Sequence, residues 1–270
     1  MRFITDHDYH VHTNLSKCAC FSGQTAEKLI EYGRKYDITD ICITNHLFDD
    51  AFTQTIPWYE YQNFEHISKI LPLPKDDKVT LHFGAETELD VNNVLACSEK
   101  VLEKLEFLAI PISHFHSTGF KIPNEMADAK YRAEVWVERF YNVLRRDLPF
   151  NKIGFAHLTV RHMDNRSWQH HIDIVNELKE KDLRELFTLG AKKGAGIELN
   201  MPLSSYSEED RKAVFRVYKI AKECGAKFYM GSDGHKQSDL DSAKGYFETY
   251  VDILSLKESD KFRPFKKQNI

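Results

Sequence analysis

Seven short, apolar, β-rich runs alternate with longer stretches of helical periodicity along this chain. The runs are residues 4–11, 40–45, 79–85, 107–113, 152–157, 195–199 and 226–231. The helical stretches are residues 25–36, 92–104, 131–146, 182–193, 207–224 and 239–254. Strands that alternate with helices predict βαβ units and a parallel sheet. Seven such strands therefore favour an α/β fold with a barrel-like sheet.

The arrangement of these elements predicts one domain. No linker rich in Pro, Gly or Ser divides the 270 residues, and no internal repeat is visible. We expect a single domain over 1–270, with loop insertions at about 47–78 and 158–181. The helix at 207–224 has the clearest boundaries, because Ser207 can cap its start and Gly225 can end it.

Composition narrows the class of protein. The formal net charge of −4 argues against broad, nonspecific nucleic-acid binding, although it does not exclude a local basic patch. No apolar run approaches the ~18–20 residues that span a bilayer, and residues 1–8 turn polar too early for a signal peptide. Five scattered cysteines favour free thiols over a disulfide framework. We therefore predict a cytoplasmic protein without a membrane segment.

Metal-competent side chains stand at the carboxyl ends of nearly all the predicted strands. The chain has 13 histidines, and many of them lie at these ends. In chain order the end residues are His10 and His12, His46, Glu86, His114 and His116, His157, Glu198 and Asn200, and Asp233 and His235. The carboxyl ends of parallel strands in a barrel meet at one mouth, so we expect one shared polar cavity. Imidazoles with a few carboxylates predict a site for zinc, manganese or iron.

The spacing within these motifs suits shared metal ions. His10 and His12 are two residues apart, and Asp233 and His235 repeat that spacing. Residues two apart on a strand point to the same side, so one ion can take both side chains. Glu86 adds a carboxylate that could bridge two ions.

The order of these motifs resembles that of the PHP family, named for polymerase and histidinol phosphatase. The matching segments extend from Asp8 to about Ala243 and cover nearly the whole chain. They are 8–13 (DYHVHT), 44–46 (TNH), 84–86 (GAE), 113–114 (SH), 154–157 (GFAH), 198–200 (ELN) and 231–235 (GSDGH). The resemblance implies a distorted (βα)7 barrel of the TIM-barrel type, a cluster of two or three divalent metal ions, and hydrolysis of phosphoesters.

Carried over residue by residue, the resemblance implies three metal positions. The first would be held by His10, His12, Glu86 and Asp233, the second by His46 and His235, and the third by Glu86, His114 and His157. The second position departs from the family pattern, because Cys18 stands where the family often has another histidine. A thiolate is a good zinc or iron ligand, so Cys18 can take that place. Cys20 can do so if the loop differs by two residues; otherwise both are ordinary loop cysteines.

The resemblance implies hydrolysis by a metal-bound hydroxide that attacks phosphorus in line with the leaving oxygen. Asp233 and Glu86 are the predicted catalytic carboxylates, and Asp233 could also pass a proton to the leaving group. Asp8 is predicted either to anchor a ligand imidazole or to be a strand-edge residue. Glu198 is predicted to support the ligands or to contact substrate.

A phosphorylated substrate requires positive charge at the mouth. The predicted substrate contacts are Arg161, His116, Lys17 and Asn200, with Arg132 and Arg166 as further candidate cations. Aromatic residues of the first insertion, such as Trp58 and Tyr59, are expected either to form a platform for a substrate ring or to pack as core.

The leading hypothesis is a phosphatase that acts on a small phosphomonoester. Histidinol phosphate, and with it histidine biosynthesis, is the candidate that the family suggests. A nuclease or nucleotide phosphodiesterase is the alternative with the same chemistry, and a non-catalytic metal-binding module is the alternative from another class. The nearly complete ligand set argues against the module. The sequence leaves the oligomeric state open.

Overall fold

The strands of this protein form one parallel sheet. The computed structural model describes residues 1–53, 56–90, 92–115, 128–163, 167–200 and 206–265. The strands are β1 (His7–Val11), β2 (Asp40–Ile43), β3 (His46–Leu47), β4 (Thr80–Thr87), β5 (Phe107–Pro111), β6 (Ile153–Ala156), β7 (Gly196–Leu199) and β8 (Lys227–Met230). Their order is β1-β2-β4-β5-β6-β7-β8. Because β2 and β3 follow one another and both pair with β4, they occupy one of seven strand positions.

Hydrogen bonds between the first strand and the segment after the last strand nearly close the sheet into a barrel. Val11 and Gly234 form a parallel bridge. The backbone N–H of Asp233 donates to the His10 carbonyl at 2.8 Å, and the N–H of His12 donates to the Gly234 carbonyl at 3.1 Å. The predicted seven-stranded, TIM-like barrel is therefore confirmed.

Helices surround the barrel. They are α1 (Ala26–Tyr36), α2 (Phe64–Ile67), α3 (Glu99–Leu102), α4 (Ala129–Leu144), α5 (Trp168–Glu177), α6 (Glu180–Lys193), α7 (Glu208–Glu223) and α8 (Gln237–Leu254). The predicted ends of α7 are confirmed, because Ser207 and Asp210 form a capping box and Gly225 follows with a φ of 82°. Within the described residues, none of the helices has the length and apolar composition that crossing a bilayer requires.

The predicted helix at 92–104 is wrong for most of its length, since α3 has only four residues. The Asp90 carboxylate accepts the backbone N–H groups of Asn92 and Val94, each at 2.8 Å. The Ser98 hydroxyl then accepts the N–H of Val101 at 3.4 Å. Local side-chain acceptors of this kind compete with helical hydrogen bonds, so the helix begins only after Ser98.

A helix also occupies much of the stretch 158–181, for which the sequence predicts a loop insertion. The hydroxyl of Ser167 accepts the N–H of His170 at 3.0 Å and caps α5. Ile172 and Val175 of this helix are buried, and α5 packs against α4. The apolar stripe of this helix is short and lies among polar residues, so the helical periodicity is weak in the sequence. Among the described residues of 47–78, in contrast, the helical segments are short, and α2 with four residues is the longest.

Large aromatic side chains meet inside the barrel. Tyr9 of β1, Phe107 of β5 and Tyr229 of β8 have ring centroids 5.3–6.2 Å apart, although β5 is distant from the other two strands in the sheet. Phe262, from the segment after α8, joins them. A Cβ atom on Gly154 of β6 would lie 2.5 Å from Tyr229 and 2.6 Å from Phe107. The absence of a side chain at Gly154 therefore makes room for the aromatic interior.

We predict that Gly154→Ala destabilises the protein by about 1–3 kcal/mol, because the added methyl group overpacks the barrel interior. Gly245→Ala is the matched control, since nothing lies within 4 Å of a Cβ at this position in α8. It should be neutral or slightly stabilising. Urea unfolding of both variants measures the difference. Equal stabilities would contradict the interpretation.

His82 of β4 lies between two carboxylates at the opposite end of its strand from Glu86. Its Nδ1 is 3.1 Å from Glu106 Oε2, and its Nε2 is 3.4 Å from Asp40 Oδ1. The ring stacks on Phe265 with a centroid distance of 3.5 Å. Burial lowers the pKa of His82, but the two carboxylates outweigh burial and raise the pKa above its ordinary value.

Protonated His82 should therefore stabilise the fold in a pH-dependent way. The contribution is fully present below the unfolded pKa of about 6.5, and it is lost as the pH rises through the higher folded pKa. His82→Gln should cost more free energy of unfolding at about pH 6 than at about pH 9. Urea titrations of both proteins at the two pH values test this. A cost that is the same or greater at the higher pH would show that the charge of His82 is unimportant.

Candidate metal centre

The metal-competent side chains at the strand ends converge at the barrel mouth. The contributing residues are His10 in β1 and His12 just after it, His46 in β3, Glu86 in β4, His114 after β5, His157 after β6, and Asp233 and His235 after β8. His157 and Asp233 have positive φ angles of 57° and 52°. This conformation costs a non-glycine residue about 1–2 kcal/mol. Such strain is concentrated at functional sites, where surrounding contacts hold it in place.

Four groups of candidate ligand atoms overlap at the mouth, and the atoms of each group lie within 4.8 Å of one another. The groups are His10, His12, Glu86 and Asp233; His12, Cys18, His46 and His235; Glu86, His114 and His157; and His10, His157 and Glu198. The first three contain the ligand sets that the resemblance implies. We call the set of His10, His12, Glu86 and Asp233 the inner position. The set of Cys18, His46 and His235 is the outer position. The set of Glu86, His114 and His157 is the third position. Ligation of metal by these residues stays a prediction.

Glu86 lies at the centre of the groups and is fully buried. Its Oε2 is 2.9 Å from His46 Nδ1 and 3.4 Å from the Nε2 atoms of His10 and His12. Its Oε1 is 3.2 Å from His157 Nε2 and 3.8 Å from His114 Nε2. Burial alone would raise the pKa of Glu86, but the surrounding imidazoles hold it well below its ordinary value. The two oxygens face different imidazoles, which is the geometry of a bridging carboxylate.

Hydrogen bonds behind the inner position fix the orientation of its imidazoles. His10 Nδ1 lies 2.6 Å from Glu198 Oε1, and His12 Nδ1 lies 3.0 Å from the Ser16 hydroxyl. Because Ser16 donates its own proton to Asn45 Oδ1, the imidazole must be the donor to it. Both rings then present Nε2 toward Glu86. This contact suits the supporting role that is one of the two roles predicted for Glu198, and the role stays a prediction.

Glu88 is a site residue that the sequence reasoning missed. Its Oε2 is hydrogen-bonded to His114 Nδ1 at 3.0 Å and accepts a hydrogen bond from the Tyr59 hydroxyl at 3.2 Å. Burial raises the pKa of Glu88 to about 8, although the charge of Arg139 partly offsets this. The spacing Glu86-x-Glu88 repeats that of His10-x-His12 and could have indicated it. Glu88 orients the His114 ring toward the third position.

The Asp8 carboxylate is hydrogen-bonded to backbone N–H groups and not to an imidazole ring. Its carboxylate accepts the N–H groups of Ser232 at 2.9 Å and of His10 at 3.3 Å, together with the Tyr32 hydroxyl at 3.2 Å. Burial raises the pKa of Asp8 to about 6. Asp8 therefore joins the start of the site in β1 to the segment that carries Asp233.

Cys18, and not Cys20, is the cysteine that lies beside the ligand histidines. Cys18 is exposed at the mouth, but its sulfur belongs to the group formed with His12, His46 and His235. Cys20 is in none of the groups found among the described residues. Burial of the sulfur and the charges of Asp233 and Glu86 raise the pKa of the Cys18 thiol. A bound cation would therefore be needed to hold this side chain as a thiolate.

The mouth contains a cavity of about 390 Å³. Seven cluster residues line it, together with Trp58, Tyr59, Glu88 and His162; the seven are Cys18, His46, Glu86, His114, His157, Asp233 and His235. The Trp58 ring stands edge-on to His46 with a centroid distance of 4.9 Å. None of the described residues that line this cavity is a lysine or an arginine. Positive charge at the cavity floor would therefore come from its histidines or from metal ions that they bind.

The predicted substrate contacts have different locations. Lys17 donates to the Trp58 carbonyl at 3.2 Å, beside the cavity wall. Asn200 Nδ2 lies 3.5 Å from His157 Nδ1, next to the cluster. Arg161 is exposed, with its guanidinium 6.0 Å from the centroid of a tryptophan ring in α5. Its role and those of Lys17 and Asn200 stay predictions.

Of three other candidate substrate contacts, one is buried and two lie outside the described residues. Arg132 is buried and donates to the Met163 carbonyl at 2.6 Å, so it is not a cation of the open mouth. His116 and Arg166 lie outside the described residues. His162, in the second predicted insertion, does line the cavity, with its ring 5.0 Å from that of His114.

Comparisons with known proteins give a likeness of fold. No family model and no curated protein sequence matches this chain. A histidinol phosphate phosphatase from Lactococcus lactis, solved with zinc, L-histidinol and phosphate, is 15% identical with a TM-score of 0.59, over 96% of this chain and 99% of that chain. A protein from Listeria monocytogenes assigned as a histidinol phosphatase is 15% identical with a TM-score of 0.63, over 90% and 99%. The resemblance to the PHP family is thus confirmed at the level of the fold.

The support of His10 by Glu198 can be tested through metal affinity. Glu198→Ala should weaken the tightest divalent-metal binding by about 10–100-fold, because the imidazole loses the partner that orients it. Glu198→Gln, which keeps an acceptor, should weaken it less. Glu185→Ala is the control, since this exposed residue of α6 accepts a hydrogen bond from Tyr141 and lies 3.9 Å from Lys181 Nζ. Competition with a chromophoric chelator measures the affinities. A folded Glu198→Ala protein that binds metal like the wild type would contradict this role.

Proposed function

We propose that this barrel is a metal-dependent phosphatase that hydrolyses a small phosphomonoester, with histidinol phosphate or a similar compound as the first candidate substrate. The observation that carries the proposal is the cluster of three candidate ligand groups at the floor of an open cavity. Glu86 belongs to two of these groups, and its Oε2 lies 2.9 Å from His46 Nδ1 of the other. The proposed cofactors are two or three divalent ions of zinc, manganese or iron. The free cysteines suit a reducing compartment, so we place the reaction in the cytoplasm.

Unsatisfied buried atoms support the binding of metal. His10 Nε2, His46 Nδ1 and both oxygens of Glu86 are buried, and among the described residues none of these atoms has a hydrogen-bond partner. An unsatisfied buried polar atom costs about 1–3 kcal/mol. These atoms converge on shared points, and imidazole nitrogen with carboxylate oxygen is a donor set that suits zinc, manganese and iron. The residues therefore fit a metal cluster.

Asp233 is the carboxylate best placed to take part in the reaction. Its side chain is 22% exposed, whereas that of Glu86 is 0% exposed. Asp233 Oδ1 lies 3.0 Å from His12 Nε2, which leaves Oδ2 as the atom that can orient a water molecule or pass a proton to the leaving oxygen. The buried Glu86 carboxylate can only hold metal ions and bridge between them. Divalent ions, when bound, would supply Lewis acidity toward the phosphoryl oxygens and toward water.

The cavity favours a small substrate over a polynucleotide. Its volume of about 390 Å³ falls within the range of about 300–1,000 Å³ that is usual for small-molecule sites. Trp58 and Tyr59 form an apolar wall on which a substrate ring could rest. A polynucleotide would need a basic track, and the net charge of −4 does not favour one. The L-histidinol and phosphate present in the Lactococcus structure are molecules of suitable size.

Phosphate release from histidinol phosphate and from p-nitrophenyl phosphate, with zinc, manganese or iron added, tests the proposal. We expect turnover that a chelator abolishes and that Asp233→Asn lowers at least about 100-fold, since loss of a mere supporting residue already costs about 10–100-fold. Asp241→Asn is the matched control, because this residue of α8 contacts Lys35 and Tyr36 of α1 at an exposed position.

Each other outcome selects an alternative. Hydrolysis of bis-p-nitrophenyl phosphate without hydrolysis of the monoesters would favour a nuclease or nucleotide phosphodiesterase. Metal binding without turnover of any ester would favour a non-catalytic metal-binding module. Near wild-type activity in Asp233→Asn would overturn the role given to Asp233.

A further inference from the structure

The outer position differs chemically from the rest of the cluster. His12 lies close enough to be a ligand of either the inner or the outer position. Its Nε2, however, is 3.0 Å from Asp233 Oδ1 and 3.4 Å from Glu86 Oε2, which both belong to the inner position. One nitrogen atom serves one ion, so His12 belongs to the inner position. The atoms left for an outer ion are the Cys18 sulfur and one nitrogen each from His46 and His235.

Each of the two histidines of the outer position has a ring nitrogen available to bind a metal ion. His46 is 7% exposed, and its Nδ1 has no hydrogen-bond partner among the described residues, although it lies 2.9 Å from Glu86 Oε2. His235 Nδ1 donates to the Asp233 carbonyl at 2.6 Å, which leaves Nε2 for a metal. All three side chains line the cavity. One sulfur and two nitrogens with an open side toward the cavity match the three-ligand arrangement of catalytic zinc sites.

The inner and third positions contain oxygen donors. The inner position has carboxylates from both Glu86 and Asp233, and the third position has Glu86. Carboxylates accept manganese readily, whereas a thiolate favours zinc and other thiophilic ions. The chain therefore presents two kinds of site within one cluster.

We infer that the outer position is selective for a thiophilic ion, such as zinc or ferrous iron, through the Cys18 sulfur, while the inner and third positions also accept manganese. The inference rests on the proposed function, because it assigns metal identity within the same cluster. Manganese alone should leave the outer position weakly filled. A protein with both zinc and manganese should hold the two metals at different positions.

Cobalt(II) added to the metal-free protein tests the thiolate directly, without any use of activity. Sulfur ligation gives a charge-transfer absorption in the near ultraviolet, which nitrogen and oxygen ligands do not give. We expect this band in the wild type and in Cys20→Ser, and its loss in Cys18→Ser. Cys18→His should still bind cobalt but without the band, so that loss of the sulfur is distinguished from loss of the site.

Competition between zinc and manganese tests the selectivity. Cys18→Ser should lower zinc affinity at one of the bound positions by at least about tenfold and leave manganese binding nearly unchanged. Metal analysis and calorimetry give the stoichiometry and affinity. Cobalt binding without the band in the wild type, or a band that persists in Cys18→Ser, would overturn the inference.

The outcomes separate this inference from the proposed function. Metal-dependent phosphate release without a thiolate band would retain the phosphatase and reject the role of Cys18. A thiolate band and zinc selectivity without hydrolysis of any ester would retain the outer position and reject the phosphatase.

Discussion

The burial of Glu86 is the constraint on which the centre depends. A carboxylate removed from water is tolerated only where cations or hydrogen-bond donors surround it. Here both oxygens are buried without a hydrogen bond from any described residue, and imidazole nitrogens from β1, β3 and the segments after β5 and β6 lie 2.9–3.8 Å away. The mouth is therefore organised around one negative charge that divalent ions would neutralise. This explains why the candidate positions overlap and do not stand apart.

The aromatic interior provides the frame that brings the strand ends to this charge. Tyr9 and Tyr229 contact each other inside the barrel. Tyr9 directly precedes His10, and Tyr229 lies four residues before Asp233. Packing of large rings against the bare backbone of Gly154 fixes how closely the strands approach. The positions of the site atoms are thus linked to the packing below them. A substitution in the aromatic interior would therefore shift the site atoms at the mouth.

Much of the fold could be predicted from the sequence, and the exceptions have local causes. The seven strand positions and most outer helices follow from apolar periodicity, which reports burial directly. The helix predicted at 92–104 fails because Asp90 satisfies backbone N–H groups in a turn, an interaction that periodicity does not register. Helix α5 was missed because its buried stripe, which includes Ile172 and Val175, is short and lies among polar residues. In the site, Glu88 was missed because its role depends on contact with His114, which is distant in the chain.

The sequence by itself determined which ligand types occur and that they stand at the carboxyl ends of parallel strands, because strand order and end residues are local properties. Only the tertiary structure decided which ring nitrogen faces the cluster, since Glu198, Ser16 and Glu88 orient the imidazoles from distant or folded-back segments. It also decided between the two cysteines. The backbone N–H of Asn14 donates to the Gln24 carbonyl across the loop after β1, and the Cys18 sulfur within this loop lies beside the histidines. Distances between residues far apart in the chain arise from barrel closure and loop path, which no local pattern encodes.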